Sequence, residues 1–151
     1  MEKERVITLL NKAVSDELAT VHQYLYFHFH FNDQGYSTLA DLFRKTAVEE
    51  MKHLERLADR ILCLKGDVDI KPAREIRKNN QQNEMMIIAK EMELQSVARY
   101  KEWSDECSAW GDDLSKKLFD DLRSEEERHC NQFEAQIRSI DELENSYLAV
   151  S

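Results

Sequence analysis

The sequence has few residues that end a helix: its 151 residues include three glycines and one proline. Charged residues make up 34% of the chain and hydrophobic residues 42%. Side chains such as those of Glu, Lys, Leu and Arg are favourable in helices. The composition therefore predicts long amphipathic helices and argues against a sheet protein. The length suits a single domain over residues 1–151.

Cysteine is also scarce, with three widely spaced residues, Cys63, Cys107 and Cys130, and no C-x-x-C pair. This spacing excludes a rubredoxin-type or zinc-ribbon module. An odd number of separated cysteines is not a disulfide framework, and free cysteines are commonly buried. We therefore expect three buried free thiols in a reducing cytoplasm.

Excess positive charge and long apolar runs are lacking as well. The net charge of −9 argues against a general nucleic-acid binder, and it suits a surface that attracts small cations. No apolar run is long enough to span a membrane, and the N-terminal MEKERVITLL lacks the apolar core of a signal peptide. We expect neither nucleic acid nor a membrane as a partner.

Apolar residues recur at intervals of three and four in four segments, which predicts helices near residues 4–32, 37–64, 82–110 and 113–139. The short turns NDQGYS and WGDD each contain a glycine and predict two antiparallel hairpins. The long connection over residues 65–82 can return the chain along the bundle. The predicted fold is an all-α antiparallel four-helix bundle of two hairpins with a long crossover. The C-terminal DELENSYLAVS is too short to be a fifth member of the bundle and is predicted to form a short fifth helix, with fraying of the segment as the alternative.

The two predicted hairpins carry the same residues at a shift of 76 positions, from 17 to 93. The matched pairs are Glu17 with Glu93, Glu50 with Glu126, His53 with His129, Tyr24 with Tyr100, and Gly35 with Gly111. Such a repeat predicts two similar hairpins packed about a pseudo-two-fold axis. The tyrosines are expected to be core aromatics.

Three of these pairs put charged or titratable side chains on helix faces that should be apolar. They are Glu17, Glu50, His53, Glu93, Glu126 and His129. One Glu-x-x-His pair usually marks a solvated face, but two such pairs with two lone glutamates on apolar faces favour a metal site. A Glu from each of two helices and Glu-x-x-His from the other two is the known pattern of di-iron and di-manganese carboxylate bundles, which we apply here.

Charge balance supports the same interpretation. Four buried carboxylates cannot all stay ionised together, whereas two divalent cations would neutralise them. Carboxylates with two imidazoles favour iron or manganese over zinc. Glu50 and Glu126 each share a helix turn with a histidine and are predicted to bridge the two metals. Glu17 and Glu93 are predicted to be terminal ligands.

Met51 is not part of this repeat, because the matching residue in the second half is Glu127. It follows Glu50 by one residue and therefore points about 100° further round the helix, out of the four-helix core. Spacing alone favours a methionine packed in a subunit interface. The alternative is an axial thioether ligand of a haem iron.

The sequence resembles the bacterioferritins over nearly its whole length. The resembling segments are LLNKAVSDELATVHQYL, EEMKHLERLADRIL, EEERHCNQFE and ENSYLA. The resemblance implies a hollow 24-subunit shell built from two-fold dimers, which stores a ferric mineral. It also implies an intrasubunit di-iron ferroxidase centre that oxidises Fe²⁺ with O₂ or peroxide. A haem b or related iron porphyrin would be shared between two Met51 side chains across a dimer axis.

The resemblance departs at the inner surface below the site, where relatives often carry a histidine and an acid and this chain has Lys45 and Glu49. Two alternatives remain: a peroxide-scavenging di-iron protein similar to the rubrerythrins, against which the lack of C-x-x-C argues, and a haem-binding or purely structural bundle. A twelve-subunit mini-ferritin fits poorly, since that family builds its site between subunits.

Overall fold

Four α-helices make up the fold in the computed structural model, which describes the backbone of residues 2–150 and the side chains of residues 2–143. The helices are α1 (Lys3–Asp33), α2 (Ser37–Cys63), α3 (Gln82–Ala109) and α4 (Asp113–Val150). Every predicted helix boundary except the end of α4 lies within one residue of the observed one. The all-α fold class is confirmed, and no strand occurs in the described part of the chain.

The end of α4 differs from the prediction. A separate fifth helix was expected for the C-terminal segment, but α4 continues without a break from Asp113 to Val150. No glycine or proline follows Gly111 in the sequence, so the chain has no residue that would readily stop the helix. The prediction of a fifth element was therefore wrong.

Two tight turns make each helix pair an antiparallel hairpin. Gly35 has φ of +85° and Gly111 has φ of +79°, the left-handed conformation that glycine adopts at little steric cost. After each glycine, the next residue donates its backbone N–H to a carbonyl in the last turn of the helix: Tyr36 to Phe31 at 2.9 Å and Asp112 to Cys107 at 2.9 Å. These contacts close both helices in the same way, so the 76-residue repeat includes the turns.

The connection between α2 and α3 runs back along α1. Its backbone carbonyls accept hydrogen bonds from two side chains of α1 and from the side chain of the residue that follows α1. The pairs are Asn11 with Asp67, Gln23 with Arg77, and Gln34 with Asn80. Three anchors of this kind satisfy backbone groups that would otherwise lack partners in a segment without helix or strand. The predicted long crossover is confirmed.

The core consists of two apolar clusters with a polar layer between them. One cluster contains Leu10, Leu57 and Phe119, and the other contains Phe27, Phe43 and Phe133. Burying aliphatic and aromatic side chains is the main force that packs the hairpins together. The polar layer is therefore held in place from both ends of the bundle.

The cysteines are all free, and two of them are buried as expected. Cys63 is exposed, which corrects the prediction of three buried thiols. It is the last residue of α2, and its side chain faces solvent although Ile61 and Leu64 beside it are buried in the core.

The start of α4 is held by a buried carboxylate. Asp112 accepts a hydrogen bond from the backbone N–H of Ser115 at 3.0 Å, and the Ser115 hydroxyl donates to the same side chain at 2.7 Å. The guanidinium of Arg60 donates to Asp112 at 2.8 Å and to the Ser115 hydroxyl at 2.9 Å. The cluster therefore ties the end of α2 to the beginning of α4.

We expect Asp112→Ala to destabilise the bundle, because it removes a helix cap and leaves the Arg60 charge without its buried partner. The loss is about 3 kcal/mol, which corresponds to a fall in melting temperature of roughly 6–12 °C. Thermal unfolding followed by circular dichroism measures it. Asp113→Ala, at the exposed neighbouring position, is the control; an equal fall for both variants would contradict the assignment.

Candidate metal centre

All six predicted metal ligands lie together in the polar layer between the two apolar clusters. None of them has more than 1% of its surface exposed. Glu17 comes from α1, Glu50 and His53 from α2, Glu93 from α3, and Glu126 and His129 from α4. Each helix thus contributes at least one polar side chain to a layer that is otherwise closed to solvent.

These residues form two overlapping groups of possible ligands. One group is Glu17, Glu50, His53 and Glu126, and the other is Glu50, Glu93, Glu126 and His129. Within each group, one ligand atom per residue can be chosen so that all of them lie within 4.8 Å of one another. Glu50 and Glu126 belong to both groups, which is the arrangement that bridging carboxylates require.

The two imidazoles face each other across the layer. Their ring centres are 6.0 Å apart and the rings are nearly parallel, with an angle of 19°. His53 Nδ1 lies 3.0 Å from Glu126 Oε1, and His129 Nδ1 lies 2.8 Å from Glu50 Oε1. Each histidine therefore directs Nδ1 toward the shared carboxylate of the opposite hairpin.

The cluster holds most of the unpaired polar atoms in the protein interior. Among the described side chains, ten buried nitrogen and oxygen atoms have no hydrogen-bond partner, and nine of them belong to the six residues of this layer. A buried polar atom without a partner costs about 1–3 kcal/mol. Carboxylate oxygens and imidazole nitrogens converging in this way fit two divalent cations of the iron or manganese type.

The pKa values of the two shared carboxyl groups are raised. Burial is the largest cause for both, and the negative charges of Glu17 and Glu93 add to it. For Glu17 burial acts in the same direction, but contacts with Glu50 and His53 outweigh it and lower the pKa. Without cations, burial and the neighbouring charges therefore favour the protonated form of Glu50 and Glu126.

The pKa values of both histidines are also raised. Burial would lower them, but nearby carboxylates outweigh burial: Glu17 and Glu125 for His53, and Glu93 and Glu49 for His129. A raised pKa favours the protonated imidazolium. Because a ligating imidazole is neutral, a divalent cation that binds in the layer would have to displace this proton.

Two tyrosines orient the predicted terminal carboxylates. The Tyr24 hydroxyl donates to Glu93 Oε1 at 2.7 Å, and the Tyr100 hydroxyl donates to Glu17 Oε1. Burial raises the pKa of both phenols, and neighbouring carboxylates raise it further, so the tyrosines remain hydrogen-bond donors. The sequence predicted core aromatics here but not these contacts, each of which joins opposite hairpins.

Two further carboxylates contact the histidines of the layer. The sequence indicated Glu49 only as a residue of the inner surface below the site, and it did not indicate Glu125. Glu49 contacts Nε2 of His129, and Glu125 Oε1 lies 3.5 Å from Nε2 of His53. The 76-residue shift relates these two glutamates and is the signal that could have found them. Glutamates on partly exposed helix faces are common, so the sequence alone did not single them out.

Met51 lies outside the cluster, with 46% of its surface exposed. Val48, one turn earlier on α2, is 38% exposed. The structure thus places the thioether on the outer side of the bundle, away from the metal layer.

Comparisons with known proteins agree with the fold. A family profile described as a ferritin-like domain matches residues 7–143. The bacterioferritin of Brucella melitensis is 35% identical, over 88% of this chain and 83% of that protein. The bacterioferritin of Desulfovibrio desulfuricans is 29% identical, over 97% of this chain and 82% of that protein.

Solved structures give the same result. A Desulfovibrio desulfuricans bacterioferritin structure, described by its diiron site in different catalytic states, superposes with a TM-score of 0.92 at 29% identity and covers 97% of this chain and 86% of that one. The Rhodobacter capsulatus bacterioferritin, described with a metal-free dinuclear site and haem iron in a crystallographic special position, gives a TM-score of 0.89 at 31% identity, covering 93% and 88%. The chain therefore belongs to the bacterioferritins, within the ferritin-like domain family.

Proposed function

We propose that this chain is the subunit of an iron-storing ferroxidase, in which one layer of side chains binds two Fe²⁺ ions as substrate. The proposed ligands are Glu17, Glu50, His53, Glu93, Glu126 and His129. The observation that carries the proposal is the convergence of nine buried polar atoms without partners on these six residues. Bacterioferritins are ferroxidases, and this layer has the donor atoms that the activity needs.

Each residue has a distinct task in this proposal. Glu50 and Glu126 bridge the two ions, because they are common to both ligand groups. Glu17 and Glu93 each complete the set of ligands of one ion. The hydroxyl groups of Tyr24 and Tyr100 fix the orientation of these two carboxylates. His53 and His129 bind through Nδ1, the nitrogen that faces the shared carboxylates.

Proton release accompanies binding of the substrate. The raised pKa values of Glu50 and Glu126 favour their protonated forms, whereas metal ligation requires carboxylates and neutral imidazoles, so any protons on these groups are released when the ions bind. When both ions are bound, the iron pair can supply two electrons to O₂ or peroxide. Water is excluded by the apolar clusters on either side, and the four carboxylates balance the charge of the ions.

Assembly and storage form the next part of the proposal. Relatives of this chain form oligomeric iron-storage shells, and we propose a 24-subunit shell built from two-fold dimers, each subunit a single domain over residues 1–151. We propose the cytoplasm as its location. The net charge of −9 supports attraction of Fe²⁺ to the protein surface. No helix in the described part of the chain has the length and apolar character needed to cross a membrane.

The storage proposal is tested by adding Fe²⁺ in air to the purified protein and measuring particle mass and iron content together. A storage protein elutes as a large particle and keeps far more iron than the two ions per subunit that the layer can hold. A particle of dimer size with two irons per subunit would instead indicate the rubrerythrin-like alternative. Retention of no iron would indicate a haem-binding or structural bundle.

We also propose that Met51 provides an axial ligand to a haem b or related iron porphyrin shared by two subunits. The exposed thioether on the outer side of α2 supports a role between subunits, and the membership in the bacterioferritins favours haem ligation over interface packing alone. The haem iron of the Rhodobacter capsulatus relative lies in a crystallographic special position, as expected for a group between symmetry-related copies.

Met51→Leu is expected to lower haem affinity at least about tenfold, because leucine keeps the volume of the side chain but removes the ligand atom. Haem addition followed by visible absorption measures the effect. Met92→Leu, inside the second apolar cluster, is the matched control and should bind haem normally. Unchanged haem spectra for Met51→Leu would contradict the assignment.

A further inference from the structure

The outer nitrogens of the two ligand histidines face carboxylates that lie outside the six-residue layer. Nε2 of His129 is hydrogen-bonded to Glu49, and Nε2 of His53 faces Glu125 Oε1 at 3.5 Å. Glu49 lies on α2 and contacts a histidine of α4, whereas Glu125 lies on α4 and approaches a histidine of α2. Each histidine is therefore approached by a carboxylate of the other hairpin.

Each of these carboxylates is itself held by an arginine on the same helix as the histidine. Arg128 Nη2 donates to Glu49 Oε2 at 2.9 Å, and Arg56 Nη1 donates to Glu125 Oε2 at 2.7 Å. The glutamates are related by the 76-residue shift, but the arginines are not, because the shift relates Arg56 to Gln132. The same Arg–Glu–His arrangement thus occurs twice with arginines from different positions.

The tautomer of a ligand histidine depends on such a contact. A neutral imidazole carries one N–H, and Nδ1 can bind a metal only if the hydrogen is on Nε2. A carboxylate that accepts a hydrogen bond from Nε2–H selects that tautomer, fixes the ring and makes Nδ1 a better donor. In both halves Nδ1 faces the centre of the layer and Nε2 faces the glutamate.

We propose that Glu49 and Glu125 are positioning residues that hold His129 and His53 with Nδ1 free for the metal. The inference rests on the proposed di-metal site. The two contacts are unequal, because His129 Nε2 is hydrogen-bonded while His53 Nε2 has no hydrogen-bond partner. Glu49 therefore fixes the ring of His129 more firmly than Glu125 fixes the ring of His53. We expect the ion bound by His129 to depend more on its positioning residue than the ion bound by His53.

An anaerobic titration of the assembled, iron-free protein with Co²⁺ tests this, with visible absorption and calorimetry as readouts. The wild type should bind two Co²⁺ per subunit. Glu49→Ala should lower the affinity for one of these two ions by about 10–100-fold, the usual effect of losing the residue that hydrogen-bonds the outer nitrogen of a ligand histidine. Glu125→Ala should cause a smaller loss. Glu49→Gln keeps an oxygen that can accept from Nε2–H and should fall between wild type and Glu49→Ala.

Glu127→Ala is the control, since Glu127 is exposed, carries the same charge and lies beside Glu126. Binding of both ions by Glu49→Ala with wild-type affinity would overturn the inference and leave the proposed function intact. Equal weakening in all three alanine variants would also overturn it, because general loss of negative charge would then explain the result. If Glu49→Ala does not assemble, Glu49→Gln carries the test. A wild type that binds no Co²⁺ would overturn both proposals.

Discussion

Replacing Glu126 with alanine should slow Fe²⁺ oxidation by on the order of 100-fold or more, a larger effect than the loss of an outer partner would cause. Glu126 belongs to both groups of possible ligands, so the substitution removes a donor from each ion and the bridge between them. The initial rate of absorbance increase after aerobic Fe²⁺ addition measures the loss. Glu127→Ala, with the same change of charge at an exposed position, should retain the wild-type rate.

The metal-free Glu126→Ala protein should still fold, which separates loss of the site from loss of the bundle. Burial and the charges of Glu17 and Glu93 oppose ionisation of Glu126, so its removal relieves an unfavourable group in the absence of metal. Circular dichroism should show the same helix content as the wild type. Equal oxidation rates for Glu126→Ala and the wild type would contradict the assignment of the site.

Filling the layer with Co²⁺ in the absence of O₂ should raise the melting temperature by about 10–20 °C. A ligand at 100 times its dissociation constant stabilises the folded state by about 2.7 kcal/mol, and two sites give about 5 kcal/mol. For a chain of this length, each kcal/mol of stabilisation raises the melting temperature by roughly 2–4 °C, which gives the expected increase. Differential scanning calorimetry measures it, and Glu126→Ala should lose most of the gain.

The gain from Co²⁺ should increase as the pH rises above 6.5, the unperturbed histidine value. The pKa values of Glu50, Glu126, His53 and His129 are raised in the folded protein. Stability from such groups is present below their unfolded pKa values and is lost as the pH rises through the folded ones. Rising pH therefore lowers the free energy of unfolding of the metal-free protein, and it favours metal binding because fewer protons compete with the cations for the ligands. A gain independent of pH would show that these protons are not displaced.

The helices and the six residues of the layer could be predicted from the sequence because they follow strict spacings. Apolar residues at intervals of three and four indicate the helices, and Glu50 and His53 stand out because they interrupt such a face. The end of α4 could not be predicted in this way, since helical periodicity does not show whether the C-terminal segment continues α4 or forms a separate helix.

The contacts around the layer could not be predicted from the sequence for a different reason. Glu49 and Glu125 lie on partly exposed helix faces, where glutamate is ordinary, and only the orientation of the histidine rings gives them a partner. Tyr24 and Tyr100 fit an apolar core by their spacing, and their hydroxyl bonds depend on how the two hairpins are aligned. Periodicity describes one helix at a time, whereas these contacts depend on distances between helices.

The residues that orient each ligand come from the opposite hairpin, so the metal centre depends on contact between the two hairpins. Tyr24 reaches Glu93, Tyr100 reaches Glu17, and the outer glutamates also reach across. A single hairpin therefore has ligands but none of their supports, and it gains them only when the other hairpin docks. Metal binding should thus tighten the docking of the two hairpins, which the apolar clusters hold together in the absence of ions. Exchange of amide hydrogens along the α1–α3 and α2–α4 contacts should slow together when the ions bind.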